Sequence, residues 1–324
     1  MNVIQENNDN NTLGINELSK NLYDLNFEEN EKKNNDDINS RMTRFQSTYI
    51  SARPHPFLEE NEDILLCVSK KQYKISNYTK NKDLISFKDR EKILEWCLNV
   101  LEPTKLKQNE KISIFHRFCT AYDYIMDILF LSNNDINKKE ELKIMIINIF
   151  LLSYKLEGLS LEKLTISSLI DAFLQDIKAD KDELSNKIFK NEMEIIALID
   201  YNIQIFNDNN ISQLSYILYE LFIKKYSLKI NETESKRIKN ILDFINRSFE
   251  FSEKILFKYF PIEKALLSFY SSVEYCYIKR PTILDALKKY NRFLRNKMHN
   301  IKITKDEFDK YCIKLAKILY KNKM

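Results

Sequence analysis

Two glycines in a chain of 324 residues, Gly14 and Gly158, limit what this sequence can build. Loops that cradle phosphate need several glycines so that backbone amides can close on the ligand, and no stretch here supplies them. Tight hairpins rest on glycine or Asn-Gly pairs with positive φ, so an antiparallel β protein is not expected. The five prolines are equally sparse. Between these breakers run long stretches rich in Leu, Ile, Lys and Glu, mostly good helix formers. The expected fold class is all-α.

The length suffices for one large or two ordinary domains, and 44% apolar with 30% charged residues is a globular balance. Fifty-one basic side chains stand against 47 acidic ones, a net charge of +4. That is far from the electrostatic footprint of a protein that lives on phosphate backbones, so direct nucleic-acid binding is not expected. The cysteines, Cys67, Cys97, Cys119, Cys276 and Cys312, have neither metal-ligand spacing nor the even number of a disulfide framework. Most fall in apolar stripes and read as small core residues in a reducing compartment. His55, His116 and His299 are too isolated for a metal or acid-base constellation. No metal, cofactor or catalytic residue is expected. The N-terminus has no basic and apolar leader pattern, and the run from Ile144 to Leu152 is too short to span a bilayer. The expectation is an intracellular protein without a membrane segment.

Residues 1–50 are rich in Asn, Asp, Glu and Lys and read as a low-complexity, partly disordered segment. Inside it Ile15, Leu18, Leu22 and Leu25 recur at helical spacing, enough for one short amphipathic helix. A proline-punctuated link from Ser51 to Pro56 leads into a first domain, 51–205. There Ile93, Leu94, Cys97, Leu98 and Leu101 form a stripe that stops before Pro103. Ile112, Phe115, Cys119, Tyr122, Met126 and Leu129 form the next. The segment around Ile144 to Tyr154 is apolar nearly all round, which predicts an enclosed helix. A helix around Leu161 to Ile177 and a stripe of Ile188, Glu192, Ile195, Ile196 and Ile199 complete five helices, the third central. A second domain, 206–324, repeats the scheme less clearly. Pro261 stands where a first-turn proline belongs; Pro281 ends that helix, with Thr282 capping a short one through Tyr290.

Specific strings then carry a resemblance. Arg90 followed six residues later by Trp96 resembles the opening of the first cyclin-box helix. The run from Leu151 to Glu157 is similar to the LLASKxEE signature that ends the central helix of cyclins. Glu192 with Ile195 and Ile196, then Asp200 to Ile203, resembles the fifth helix and its exit. Phe57 to Cys67, Leu94 to Cys97, Glu102-Pro103, Asp243 to Arg247 and Tyr259 to Leu266 resemble the cyclin H group in order. The chain is thus identified as similar to the cyclin family over roughly residues 55–275. The resemblance implies a cyclin fold of two tandem five-helix boxes behind an extra N-terminal segment. It also implies a non-catalytic subunit of the nucleus, or also of the cytoplasm, that activates a cyclin-dependent kinase of the CDK-activating type, with a RING-finger assembly factor as a further partner.

The same resemblance places the kinase-binding surface at Lys155, Leu156, Glu192, Ile196 and Tyr201. In cyclins the matching lysine and glutamate bond each other and meet kinase backbone groups near its movable helix. A charge-assisted bond suits that task, because it pre-orients both groups and leaves spare donors and acceptors. A solvated surface pair, or apolar residues that merely belong to the core, is the plain reading of the same positions.

Three departures from the family pattern matter. Asp89 and Lys92 stand where cell-cycle cyclins carry an apolar substrate-docking patch, so that patch is not expected. His116 lies where they carry an aspartate facing the first-helix arginine, which leaves Arg90 without its usual partner. Gly158 replaces the second signature glutamate. Lys288, Lys289, Arg292, Arg295 and Lys297, interleaved with Tyr290 and Phe293, form a modest basic face that reads first as solvated. The alternative function is a nucleic-acid-binding protein similar to general transcription factor II B. The weak net charge and the lack of a zinc-ribbon cysteine pattern count against it.

Overall fold

The computed structural model describes residues 68–80, 85–132, 139–158, 181–298 and 301–321. All regular structure among them is helical, as the glycine scarcity predicts. They divide between two compact units, 74–213 in one and 68–73 with 214–321 in the other. The N-terminal segment with its Ile15 to Leu25 stripe, the Ser51 to Pro56 link and the helix expected around Leu161 to Ile177 lie outside the described residues.

In the first unit a 3-10 turn, Tyr78–Lys80, precedes α1 (Phe87–Leu101), α2 (Gln108–Leu131), α3 (Lys139–Leu156), α4 (Lys181–Leu198) and the single-turn α5 (Ile205–Asp208). Ser86 starts α1: its hydroxyl accepts the Asp89 N–H at 3.2 Å, satisfying one orphan amide of the first turn. The helix then buries Phe87, Arg90, Ile93, Leu94, Cys97 and Leu101 at three-and-four spacing. In α2 the whole expected stripe from Ile112 to Leu129 is buried. Helix α3 is enclosed, with every residue from Ile144 to Tyr154 buried, and it packs against both α2 and α4. Each Ile or Leu removed from water there contributes about 1.5–3 kcal/mol before the entropy of ordering is set against it. Trp96 seals α1 onto this centre, 5.5 Å from the Phe150 ring and 6.2 Å from Phe118.

The second unit holds the greater part of α6 (Ile211–Lys225), then α7 (Glu232–Glu250), α8 (Glu253–Leu256), α9 (Pro261–Cys276), α10 (Pro281–Lys297) and α11 (Lys305–Lys321). Here α9 is the enclosed helix: Pro261 to Val273 are all buried, and α7, α10 and α11 pack around it. Phe222, Phe269 and Tyr290 meet ring to ring at 5.6–6.0 Å. Pro281 differs from expectation. It opens α10 as its first helical residue, and the helix runs 17 residues to Lys297 rather than stopping at Tyr290. A first-turn position needs no N–H and suits the fixed φ of proline, so the residue read as a stop is a start.

A buried carboxylate organises the start of α9. Glu263 accepts the Phe260 N–H at 2.8 Å through one oxygen, and the Lys302 and Ile303 N–H groups at 2.5 and 2.6 Å through the other. It therefore caps its own helix and ties down the α10–α11 connection. Glu263→Gln keeps the shape but turns an amide nitrogen toward N–H donors. The expected loss is about 1.5–3 kcal/mol of unfolding free energy in a urea titration. A change within about 0.5 kcal/mol, the range of an ordinary surface substitution, contradicts this role.

Candidate functional site

Helix α3 ends at Leu156, and the chain leaves through Gly158 at φ 75°, whose N–H donates to the Lys155 carbonyl at 2.9 Å. Nothing lies within 4 Å of where a Cβ would stand, so backbone conformation alone favours glycine there. Gly158→Ala is expected to lower stability by about 1–2 kcal/mol without a steric clash. A thermal melt checks it, and an unchanged or raised Tm contradicts it.

That exit leaves Lys155 at the mouth of the helix pair formed by α3 and α4. Its Nζ donates to both carboxylate oxygens of Glu192, at 2.7 and 2.6 Å. The lysine side chain is 33% exposed and the glutamate 17%. Two of the three ammonium N–H groups are used, so the pair still presents a donor and carboxylate lone pairs outward. Leu156 and Ile196 are half-buried beside it, on the same two helices.

Beyond α4 the backbone takes an unusual course. Asp200 and Tyr201 both have positive φ, 56° and 59°. The Tyr201 N–H donates to the Ile196 carbonyl and the Asp200 N–H to the Ala197 carbonyl, both at 2.9 Å, which closes α4 as a Schellman cap. Left-handed backbone at two successive non-glycine residues is costly and collects at functional positions. Tyr201 is 66% exposed. Met193 is 59% exposed and precedes Ile196 and Ala197 by three and four residues, on the same side of α4. Periodicity did not single out Met193, since it lies at the edge of the α4 stripe. A large apolar side chain among polar neighbours was the signal to use.

Behind this surface α3 is locked. The Arg117 guanidinium, 1% exposed, donates to Glu157 at 2.6 Å and to Asn207 of α5 at 3.3 Å. Ser113 donates to the same Glu157 oxygen at 2.7 Å. Glu157 thus holds the end of α3 to α2.

Arg90 is not left without an acidic partner. It donates to Asp123 through two nitrogens, at 2.7 and 2.6 Å, with both side chains buried. Asp123 follows His116 by seven residues, so it occupies the same face of α2 two turns on. The reach of a long arginine along a neighbouring helix is invisible in local spacing. The Tyr78 hydroxyl also donates to Asp123, at 2.6 Å, and burial followed by the Asp123 charge holds its pKa well above the usual tyrosine value. Asp127, one turn further, accepts the Ser76 N–H at 3.1 Å. His116 itself is buried and meets Phe115 edge-on at 5.3 Å.

Asp89 and Lys92 are exposed and pair with each other at 3.2 Å. On α10 the interleaved Tyr290 is fully buried, Arg295 donates to the Ile303 carbonyl, and Lys289 pairs with Asp285. Tyr290 therefore serves the core, while Phe293 is half-buried with the Lys225 ammonium 3.9 Å from its ring centre. Cys97, Cys119, Cys276 and Cys312 are free thiols, and no cluster of three metal-ligating side chains occurs among the described residues. No helix among them is long and apolar enough to cross a membrane. His55, His299 and Cys67 lie outside the described residues. No family model, no curated protein and no solved structure matches this chain.

Proposed function

We propose that the chain is a cyclin-type regulatory subunit that binds a cyclin-dependent kinase and activates it by holding the kinase's movable helix in the active position. In this reading the two helical units are tandem five-helix boxes, and the protein is a nuclear, cyclin H-like subunit of a CDK-activating or RNA polymerase II tail kinase, assembled with a RING-finger factor. The observation that carries it is the bonded, half-sheltered Lys155–Glu192 pair, on a helix that also exposes Met193 and leads into exposed Tyr201. A pre-oriented charge pair with apolar anchors at its edge is the anatomy of an interface hot spot. The enclosed helix α3, packed between α2 and α4, supplies rigid support behind such a face.

Activation then works by differential binding. A free kinase populates states with its glutamate-bearing helix turned outward, and a rigid surface that fits only the inward state shifts that equilibrium. ATP, magnesium and phosphoryl transfer belong to the kinase. The test is affinity purification of the full chain, identification of any bound kinase, and a phosphorylation assay with and without this subunit. Lys155→Ala/Glu192→Ala is expected to lose both copurification and activation. Unimpaired binding by that double variant rules the reading out.

A further inference from the structure

Helix α11 carries a second surface, independent of the kinase reading. Lys310, Lys314, Lys317 and Lys321 follow one another at four, three and four residues. On a helix they occupy an arc of about 60° and a line about 16 Å long. Lys254 of α8 joins them. Burial lowers the pKa of Lys314, and the charges of Lys310, Lys254 and Lys317 lower it further, so these ammonium groups stand within one another's field.

An apolar line runs beside the basic one. Ile313 is 58% exposed and Tyr320 52%, two turns apart on the same side of the helix. Helix α11 already buries Phe308, Leu315 and Leu319 against its own unit, so these two residues form a second apolar edge. Such a double line fits a partner that is acidic on one side and apolar on the next. A nucleic-acid strand would use the lysines but not Ile313. Tyr320 is also held edge-on to Tyr275 at 4.9 Å, which does not suit a base-stacking platform.

We propose that this surface is covered by the chain's own segment 15–31. That segment contains Glu17, Asp24, Glu28, Glu29 and Glu31 against the single cation Lys20. At helical spacing Glu17, Asp24, Glu28 and Glu31 share one face, and the Ile15 to Leu25 apolar stripe lies next to it. Both charge and apolar pattern therefore complement α11. Residues 32–67 supply a 36-residue tether to the second unit at Val68. Fully extended it reaches about 120 Å, so length does not restrict docking.

Zero-length carbodiimide cross-linking of the full chain, read by mass spectrometry, tests this. Cross-links are expected from carboxylates of segment 15–31 to Lys310, Lys314 and Lys317. They are expected to weaken in high salt. Ile313→Asp keeps every lysine yet is expected to lose them, whereas Lys288→Glu/Lys289→Glu on α10 is expected to keep them. Ile313 is exposed, so its substitution leaves the fold intact, verified by circular dichroism. Cross-links spread over all surface lysines overturn the proposal. So do cross-links found only between differently isotope-labelled chains, which would assign the surface to a second copy. Salt-dependent binding of a single-stranded oligonucleotide that is lost in Lys314→Glu/Lys317→Glu, with no segment cross-link, assigns the stripe to nucleic acid and overturns it as well.

Discussion

Replacing Arg90 by methionine lowers the unfolding free energy by about 3–5 kcal/mol. The reason is the group left behind. Asp123 is fully buried, and its two oxygens accept from Arg90 and Tyr78. Without the guanidinium the buried carboxylate loses its counter-charge and keeps only the Tyr78 hydroxyl as a donor. Replacing both members, Arg90→Met with Asp123→Leu, removes the stranded charge along with its partner and is expected to recover part of the loss, because a well-packed apolar pair is often no worse than a buried ion pair. Trp96 is the only tryptophan and lies in the same helix as Arg90, so its fluorescence in a urea titration reports on the first unit. A loss below about 1 kcal/mol, or a double variant worse than the sum of its singles, contradicts this account.

Exchanging the charges at the candidate site, Lys155→Glu with Glu192→Lys, is expected to leave the fold nearly untouched and to weaken binding of the proposed kinase partner strongly. The pair is partly exposed, so an isolated reversal shifts stability by at most about 1 kcal/mol, and the exchanged pair can still bond internally. A partner surface that donates to a carboxylate and accepts from an ammonium would meet like against like at both positions. Loss of a desolvated charge contact costs about 2–5 kcal/mol, so the dissociation constant is expected to rise about 30-fold or more. The exchange separates the two readings of these residues: a solvated surface pair predicts unchanged binding, while a contact pair predicts its loss with circular dichroism and Tm preserved.

Much of the helical architecture is legible without coordinates. The inner faces of α1 and α2 follow from three-and-four spacing, because a helix buries one stripe and the residues that fill it must recur at that period. The enclosure of α3 follows from the same rule applied all round. Pro261 marks a helix start for a local reason, its fixed φ and missing N–H. Pro281 obeys the same rule, and the sequence reading failed there by treating proline only as a stop. Lys155 and Glu192 were identified through a resemblance of short motifs, since spacing alone does not separate a contact pair from a solvated one.

Local sequence determined which segments are helical and which face of each turns inward, because periodicity, caps and breakers act over a few residues. Only the tertiary structure decided which buried charges meet. Arg90 finds Asp123 from 33 positions away and Arg117 finds Glu157 from 40. Only it showed that Asp200 and Tyr201 turn left-handed and leave Tyr201 and Met193 outside. Such outcomes depend on the desolvation of whole side chains between packed helices, and that free energy is set by neighbours that the local pattern does not contain.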